Sequence, residues 1–411
     1  MTLLLRRIRS AAGRVWLWAQ YWRWILLSLV LAAVGLVSIW APPPAVINFA
    51  LAFVSFVFLG SEIGRFRSDS SQLRFIPWHD DFDDVEQALE DNSRFELVRF
   101  PNGTFLVDHV ATAEIGAGRV QVSVDRAPFQ VPLRLREIGR EYRRQETAGR
   151  IDVWNGPVLG LDTNLGTDQD LPAHDLVLRS GRYYDHLSTD LLAMNEVQAH
   201  GRYRDDLGRA LVIDRHSLPR DFGDSWLLNA LGTQVIALTT DQRAIVVHQT
   251  AKNESSKNQQ APSGSGSVEP VDAPAGGSLS EIATAGALRE MRQEAGITED
   301  DVADIEFLGF GRWLDKGGKP ELFCVARLSI DSHEAAQRVA DPQDRPFSKF
   351  AEPRRLARPH TSWRAESLGE IFDDKRPTTM SVPLQACLWL MARAASDETD
   401  PTHRIVRYAN T

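Results

Sequence analysis

Glu290 and Glu294 stand four positions apart near the middle of the second half of a 411-residue chain. On an α-helix that spacing places both carboxylates on one face, with Cβ atoms about 6 Å apart, close enough to share one divalent cation. The competing reading is a solvated face of an ordinary amphipathic helix, because glutamates at this spacing are common on surfaces.

The surrounding residues predict the helix that would carry them. Ser278 and Glu281 have the spacing of a capping box, in which hydroxyl and carboxylate satisfy each other's orphan backbone donors. Ile282, Ala285, Leu288, Met291 and Ala295 recur at threes and fours and form an apolar stripe to pack on a sheet. Arg289, Glu290, Gln293 and Glu294 lie to one side of that stripe, and Gly296 stops the helix.

In full, Glu281, Arg289, Glu290, Met291, Glu294, Gly296 and Ile297 fall in the register of the box G-x5-E-x7-R-E-U-x-E-E-x-G-U, where U is aliphatic. The segment thereby resembles the Nudix hydrolase family. Gln293 replaces the first Glu of the family's pair, and the opening Gly falls at Ala275, with Gly276 and Gly277 directly after it. The resemblance implies hydrolysis of a phosphoanhydride in a nucleoside diphosphate linked to another group. It implies Mg²⁺ or Mn²⁺ held by Glu290 and Glu294, with Gln293 able to offer only a neutral amide oxygen. Arg289 would orient the helix carboxylates through a salt bridge, and Glu281 would support the loop. Glu334, Asp341 and Asp344 are candidates for a further acidic group from a later loop. Gln293 also leaves open a Nudix-like nucleotide-binding sensor without turnover.

Strand-like runs surround the box. Residues 231–240 and 243–250 are β-rich and joined by hairpin chemistry at Thr240-Asp241-Gln242. Ser263-Gly264-Ser265-Gly266-Ser267 has the composition of a flexible linker, and equally of a loop offering backbone donors to phosphate. Residues 305–310 and 322–328 read as further strands across a turn at 315–320, and 384–395 as a late apolar helix. The expected fold class is α/β: a Nudix-like α/β/α sandwich with a mixed sheet at 222–411, its box at about 276–297.

Two regions precede it. Residues 68–221 read as an uncharacterised α+β module, with strand-like 96–100 and 119–124 and a helical 132–144. Within it, 154–157 and 182–186 combine aromatic and polar groups that could hold a base or a ribose, although such clusters are more often satisfied turns. Residues 1–67 hold Arg6, Arg7, Arg9, Arg14 and Arg23, then uncharged runs at 24–41 and 45–60 parted by Pro42 to Pro44. These predict a two-helix transmembrane hairpin in the cell membrane, with both ends and all later residues cytoplasmic by the positive-inside rule. A cleaved signal peptide is the competing account.

Composition sets outer bounds. With 43% hydrophobic and 25% charged residues the chain is globular in character, and a net charge of −9 argues against a general nucleic-acid partner. Only Cys324 and Cys387 occur, which excludes a disulfide framework and cysteine-based zinc spacing; both read as small buried hydrophobes. Members of the family commonly pair, so the resemblance leaves a homodimer open.

Overall fold

The computed structural model describes residues 73–406 apart from 149–154, 166–174, 200–202, 206, 253–255, 274–276, 343–346, 357–370, 373–379, 398–399, 401 and 404–405. The runs at 24–41 and 45–60 lie outside the described residues. Among the described residues no helix is long and apolar enough to cross a membrane. The longest, Leu279–Ala295, has 17 residues and buries two glutamates; at 1.5 Å per residue it falls short of a hydrocarbon core of about 30 Å. The expected two-span architecture and membrane localisation are corrected on that finding.

The chain forms α/β architecture around one large mixed sheet. Its first strands are β1 (Arg74–Pro77), β2 (Phe95–Phe100), β3 (Gly103–Asp108), β4 (Gln121–Pro128), β5 (Pro157–Leu161), β6 (Asp175–Arg182), β7 (Asn195–Ala199) and β8 (Tyr203–Asp205). There follow β9 (Gly232–Leu238), β10 (Arg243–Gln249), β11 (Gln260–Ala261), β12 (Gly264–Ser267), β13 (Val302–Trp313), β14 (Lys319–Leu328) and β15 (Ser348–Arg355). The main helices are α1 (Asp83–Leu89), α2 (His109–Gly116), α3 (Leu133–Thr147), α4 (Leu279–Ala295) and α5 (Val382–Ser396).

The nine-stranded sheet runs β11-β10-β9-β14-β13-β3-β2, with β12 paired to β9 and β15 to β10. As the sequence predicts, β9 and β10 form an antiparallel hairpin, closed where Gln242 takes a positive φ of 64°. β13 and β14 form a second, turned at Gly317 and Gly318, whose φ angles of 69° and 67° only a residue without Cβ adopts cheaply. β9 pairs in parallel with β14 and is buried at every position, because helices cover both faces there. Alternate residues sort the two cores. Ile236, Leu238, Val246, Phe323 and Val325 pack under α5. Val235, Ala237, Ile245, Leu322, Cys324 and Ala326 pack under α4. Both cysteines are free and buried, and burial pushes the Cys324 thiol up to about 12.

The sheet crosses the sequence boundary at residue 221. β3 pairs with β13 through Phe105 and Trp313, and the separate sheet β4-β6-β5 docks beside α4. There Leu279 N donates to Val120 O at 2.9 Å and Val122 N to Gly277 O at 3.1 Å, so residues 120–122 set where α4 begins. Asp190 is fully buried and accepts from Ala230 N at 2.9 Å, Leu228 N at 3.2 Å and Thr189 Oγ1 at 2.7 Å. It thereby ties the earlier residues to the approach of β9. Asp190→Ala takes the acceptor from the buried Ala230 N, while Leu228 N keeps Thr189 Oγ1 at 3.2 Å, and should lower stability by about 3 kcal/mol; urea unfolding of the two proteins measures the loss, and an unchanged midpoint contradicts this assignment.

Candidate functional site

Helix α4 starts and stops where its sequence predicts. Ser278 Oγ accepts from Glu281 N at 3.3 Å while Glu281 Oε2 accepts from Ser278 N at 2.7 Å, completing the capping box. Gly296, at φ 71°, ends it, with Gly296 N donating to Arg292 O and Ile297 N to Met291 O. Ile282, Met291 and Ala295 are buried as the apolar stripe requires. Ala285 and Leu288 are only half-buried, and Ala283, Gly286 and Ala287 are buried instead. The contact face is rotated because β9 abuts this flank: Thr233 Oγ1 donates to Ala283 O at 3.1 Å.

That rotation carries the carboxylates inward. Glu290 and Glu294 are 8% and 6% exposed, so they are not a solvated face. What lies on them is the Gly/Ser run, which forms β12 and packs along the helix rather than serving as a linker. A Cβ at Gly264 would meet Met291 N at 2.5 Å, and one at Gly266 would overlap the Glu290 carboxylate. Glycine at these two places is therefore a packing requirement.

Glu294 is held by neutral donors. Its Oε1 accepts from Gln249 Nε2 at 2.9 Å, with Ser348 Oγ at 3.5 Å, and its Oε2 accepts from Ser265 N at 2.9 Å and Ser265 Oγ at 3.0 Å. Burial, and then the charge of Glu290, push its carboxyl up to about 8 against the opposing pull of those hydrogen bonds. Two buried carboxylates that raise one another's cost of ionisation are a pair that a cation would relieve.

Arg289 holds the other carboxylate. A guanidinium has five N–H donors, and each has a partner: Nε and Nη2 grip Asp272 at 2.9 and 2.8 Å, Nη1 donates to Glu290 Oε1 at 2.7 Å and Gln293 Oε1 at 2.9 Å, and Nη2 also reaches Ser267 O at 2.8 Å. Burial works against its charge, but the Asp272 bonds and the charges of Glu290, Asp272 and Glu269 outweigh it and hold the guanidinium above its usual range. Asp272 itself sits in a single turn, Pro270–Asp272, where its Oδ2 also accepts from Glu269 N.

The structure thus brings together Arg289, Glu290, Gln293 and Glu294, with Gln293 turning its amide oxygen to Arg289. Glu281 is spent on the helix cap two and a half turns away. Glu334 is spent on another cap, accepting from Asp331 N in the short helix Ser332–Ala336. Asp341 alone of the later acids touches this helix, through its N–H on Gln293 O at 2.9 Å; Asp344 lies outside the described residues. Asp272, Gln249 and Ser348 were not legible as site residues, since none belongs to the box or shares its helical period, whereas Ser265 lies in the Gly/Ser run read as a possible source of phosphate donors and here donates to Glu294 instead. The cluster at 182–186 forms a turn: Asn155 Oδ1 accepts from Tyr184 N, and Asp185 Oδ2 from Arg182 N.

Among the described residues no three His, Cys, Asp or Glu gather as a metal cage. The oxygen donors of Glu290 and Glu294 fit Mg²⁺, which keeps waters and takes one or two carboxylates with the rest of its shell from substrate phosphates. A cleft of about 410 Å³ lies elsewhere, lined by His109, Leu308, Leu390, Arg393 and Asp400 among others and by no residue of α4.

No family description matches the chain, and no curated protein does. Among solved structures, DR0079 from Deinococcus radiodurans is 16% identical, and the match covers 30% of this chain and 65% of that one at a TM-score of 0.22. A likeness of that degree carries no argument about fold or activity.

The raised Glu294 carboxyl makes stability depend on pH. A group that holds its proton more tightly when folded contributes fully below its ordinary value of 4.5, and the contribution is lost as pH rises through about 8. In chelator, the native protein should therefore lose a few kcal/mol between these limits relative to Glu294→Gln, which carries no proton to lose. Urea midpoints across that range measure it, and parallel profiles for the two proteins contradict it.

Proposed function

We propose that residues 222–411 are a Nudix-type hydrolase domain, an α/β/α sandwich that cleaves a phosphoanhydride bond in a nucleoside diphosphate linked to another group. The observation that carries this reading is the buried pair Glu290 and Glu294, fixed side by side by Arg289 and by the donors of β10 and β12. The placement of α4 and α5 on opposite faces of a mixed sheet supports the sandwich.

In this reading Glu290 and Glu294 would hold Mg²⁺ or Mn²⁺, which when bound neutralises charge on phosphate oxygens. The protein's own work is positional. Arg289, anchored on Asp272, keeps Glu290 from swinging away. Gln249 and Ser265 keep Glu294 aimed without adding charge, so its carboxylate remains available to a cation. Gln293 offers an amide oxygen that already accepts from Arg289. That bond favours a second reading, a nucleotide binder without turnover, because Gln293 presents a neutral amide, already engaged by Arg289, where the family's box has a carboxylate.

Turnover of a panel of nucleoside diphosphate derivatives with Mg²⁺ or Mn²⁺ decides between the two. The hydrolase reading expects Glu290→Gln and Glu294→Gln each to reduce kcat by about 100-fold or more, and chelator to abolish the reaction. Binding of the same compounds with no turnover at any metal concentration assigns the binder instead.

A further inference from the structure

The edge strand β15 carries Ser348, Lys349 and Phe350 in succession beside the carboxylate pair. Ser348 is buried, with Oγ 3.5 Å from Glu294 Oε1. A bulge lies at this point: Gln249 pairs with Ser348 and His248 with Phe350. Gln249 turns to Glu294, so its neighbour His248 turns to the other side of the pleat, and Phe350 goes with it. The Phe350 ring stacks on the His248 imidazole, centroids 4.3 Å apart and planes 22° from parallel. His248 Nε2 is 2.6 Å from Glu352 Oε2, which holds the imidazole in plane. More than half of Phe350, 54%, is nonetheless exposed. Lys349, between them, is also exposed, with Nζ 3.4 Å from Asn258 Oδ1.

Resting on the hydrolase reading, we propose that Phe350 and His248 are the stacking platform for the nucleobase of the substrate. The bound nucleotide lies around the edge of the sheet, diphosphate on the α4 side at Glu290 and Glu294, base on the open ring of Phe350, and the Lys349 ammonium facing the phosphates between them. Strand geometry puts Phe350 about 7 Å from Ser348, so one short segment meets the charged and the flat parts of a single ligand. Stacking is tolerant of base identity, because every base presents a π-face. The ligand class is therefore a nucleoside diphosphate derivative with little discrimination among bases. An edge strand suits this use: no further strand covers β15 among the described residues.

Calorimetric titration of the full chain with adenosine diphosphate, and with inorganic pyrophosphate as the base-free control, tests the platform with Mg²⁺ present. Phe350→Ala should weaken the nucleotide about ten-fold or more and leave pyrophosphate unchanged, while Phe350→Tyr should restore nucleotide affinity. In turnover, Phe350→Ala should raise KM and leave kcat in place. Equal affinity of the native protein for both probes, equal weakening of both in Phe350→Ala, or binding of neither overturns the platform. Phe350-dependent nucleotide binding without hydrolysis retains the platform and rejects the hydrolase; hydrolysis indifferent to Phe350 does the reverse.

Discussion

The arrangement around α4 depends on one largely buried cation, Arg289, whose side chain is 11% exposed. A guanidinium removed from water is costly unless every donor is met, and Arg289 meets all five through Asp272, Glu290, Gln293 and Ser267 O. Those partners come from three separate pieces of chain: the helix, the end of β12 and the turn Pro270–Asp272. None can move alone without stranding a charge. The close approach that this requires explains glycine at 264 and 266, where any side chain would enter the helix.

Around that clamp the sheet opens to receive the second carboxylate. β10 leaves β9 after a two-residue pairing, and β11 and β12 enter the gap, bonding to β10 and β9 respectively. Ser263 bridges the strands there, donating to Ile245 O and accepting from Ala237 N. The gap is where Gln249, Ser265 and Ser348 converge on Glu294. Glu294 is met by the neutral donors of Gln249 and Ser265, which leave its charge uncompensated, whereas Glu290 also has the Arg289 guanidinium beside it. The two glutamates therefore differ in kind although they share a helix face.

The earlier half of the chain contributes position. Residues 120–122 bond to the start of α4, β5 bonds to Val268 and Leu231, and Asp190 caps the approach to β9. α4 and β9 are thus located from outside the domain that the sequence would draw around them. Apart from the Asp190 carboxylate, these are bonds between backbone groups, and backbone groups leave no mark on residue type.

Local physics settled what the sequence could show. The capping box at Ser278 and Glu281, the stop at Gly296, the hairpin at residues 239–243, and the strands and late helix all follow from near-neighbour hydrogen bonding and periodicity. Four of the site positions, Arg289, Glu290, Gln293 and Glu294, were legible for the same reason: they are close in sequence. The direction in which those side chains face was not. A period of 3.6 defines a stripe but not which strands will flank it, so the rotation that buried Glu290 and Glu294 was decided by β9 and β12. Asp272 and Ser348 reach the site across 17 and 54 residues, and Gly264 to Ser267 became a strand only because β9 and the Glu294 carboxylate of α4 stood ready to take its hydrogen bonds. Contacts at such separations are fixed by tertiary packing, which local propensity does not encode.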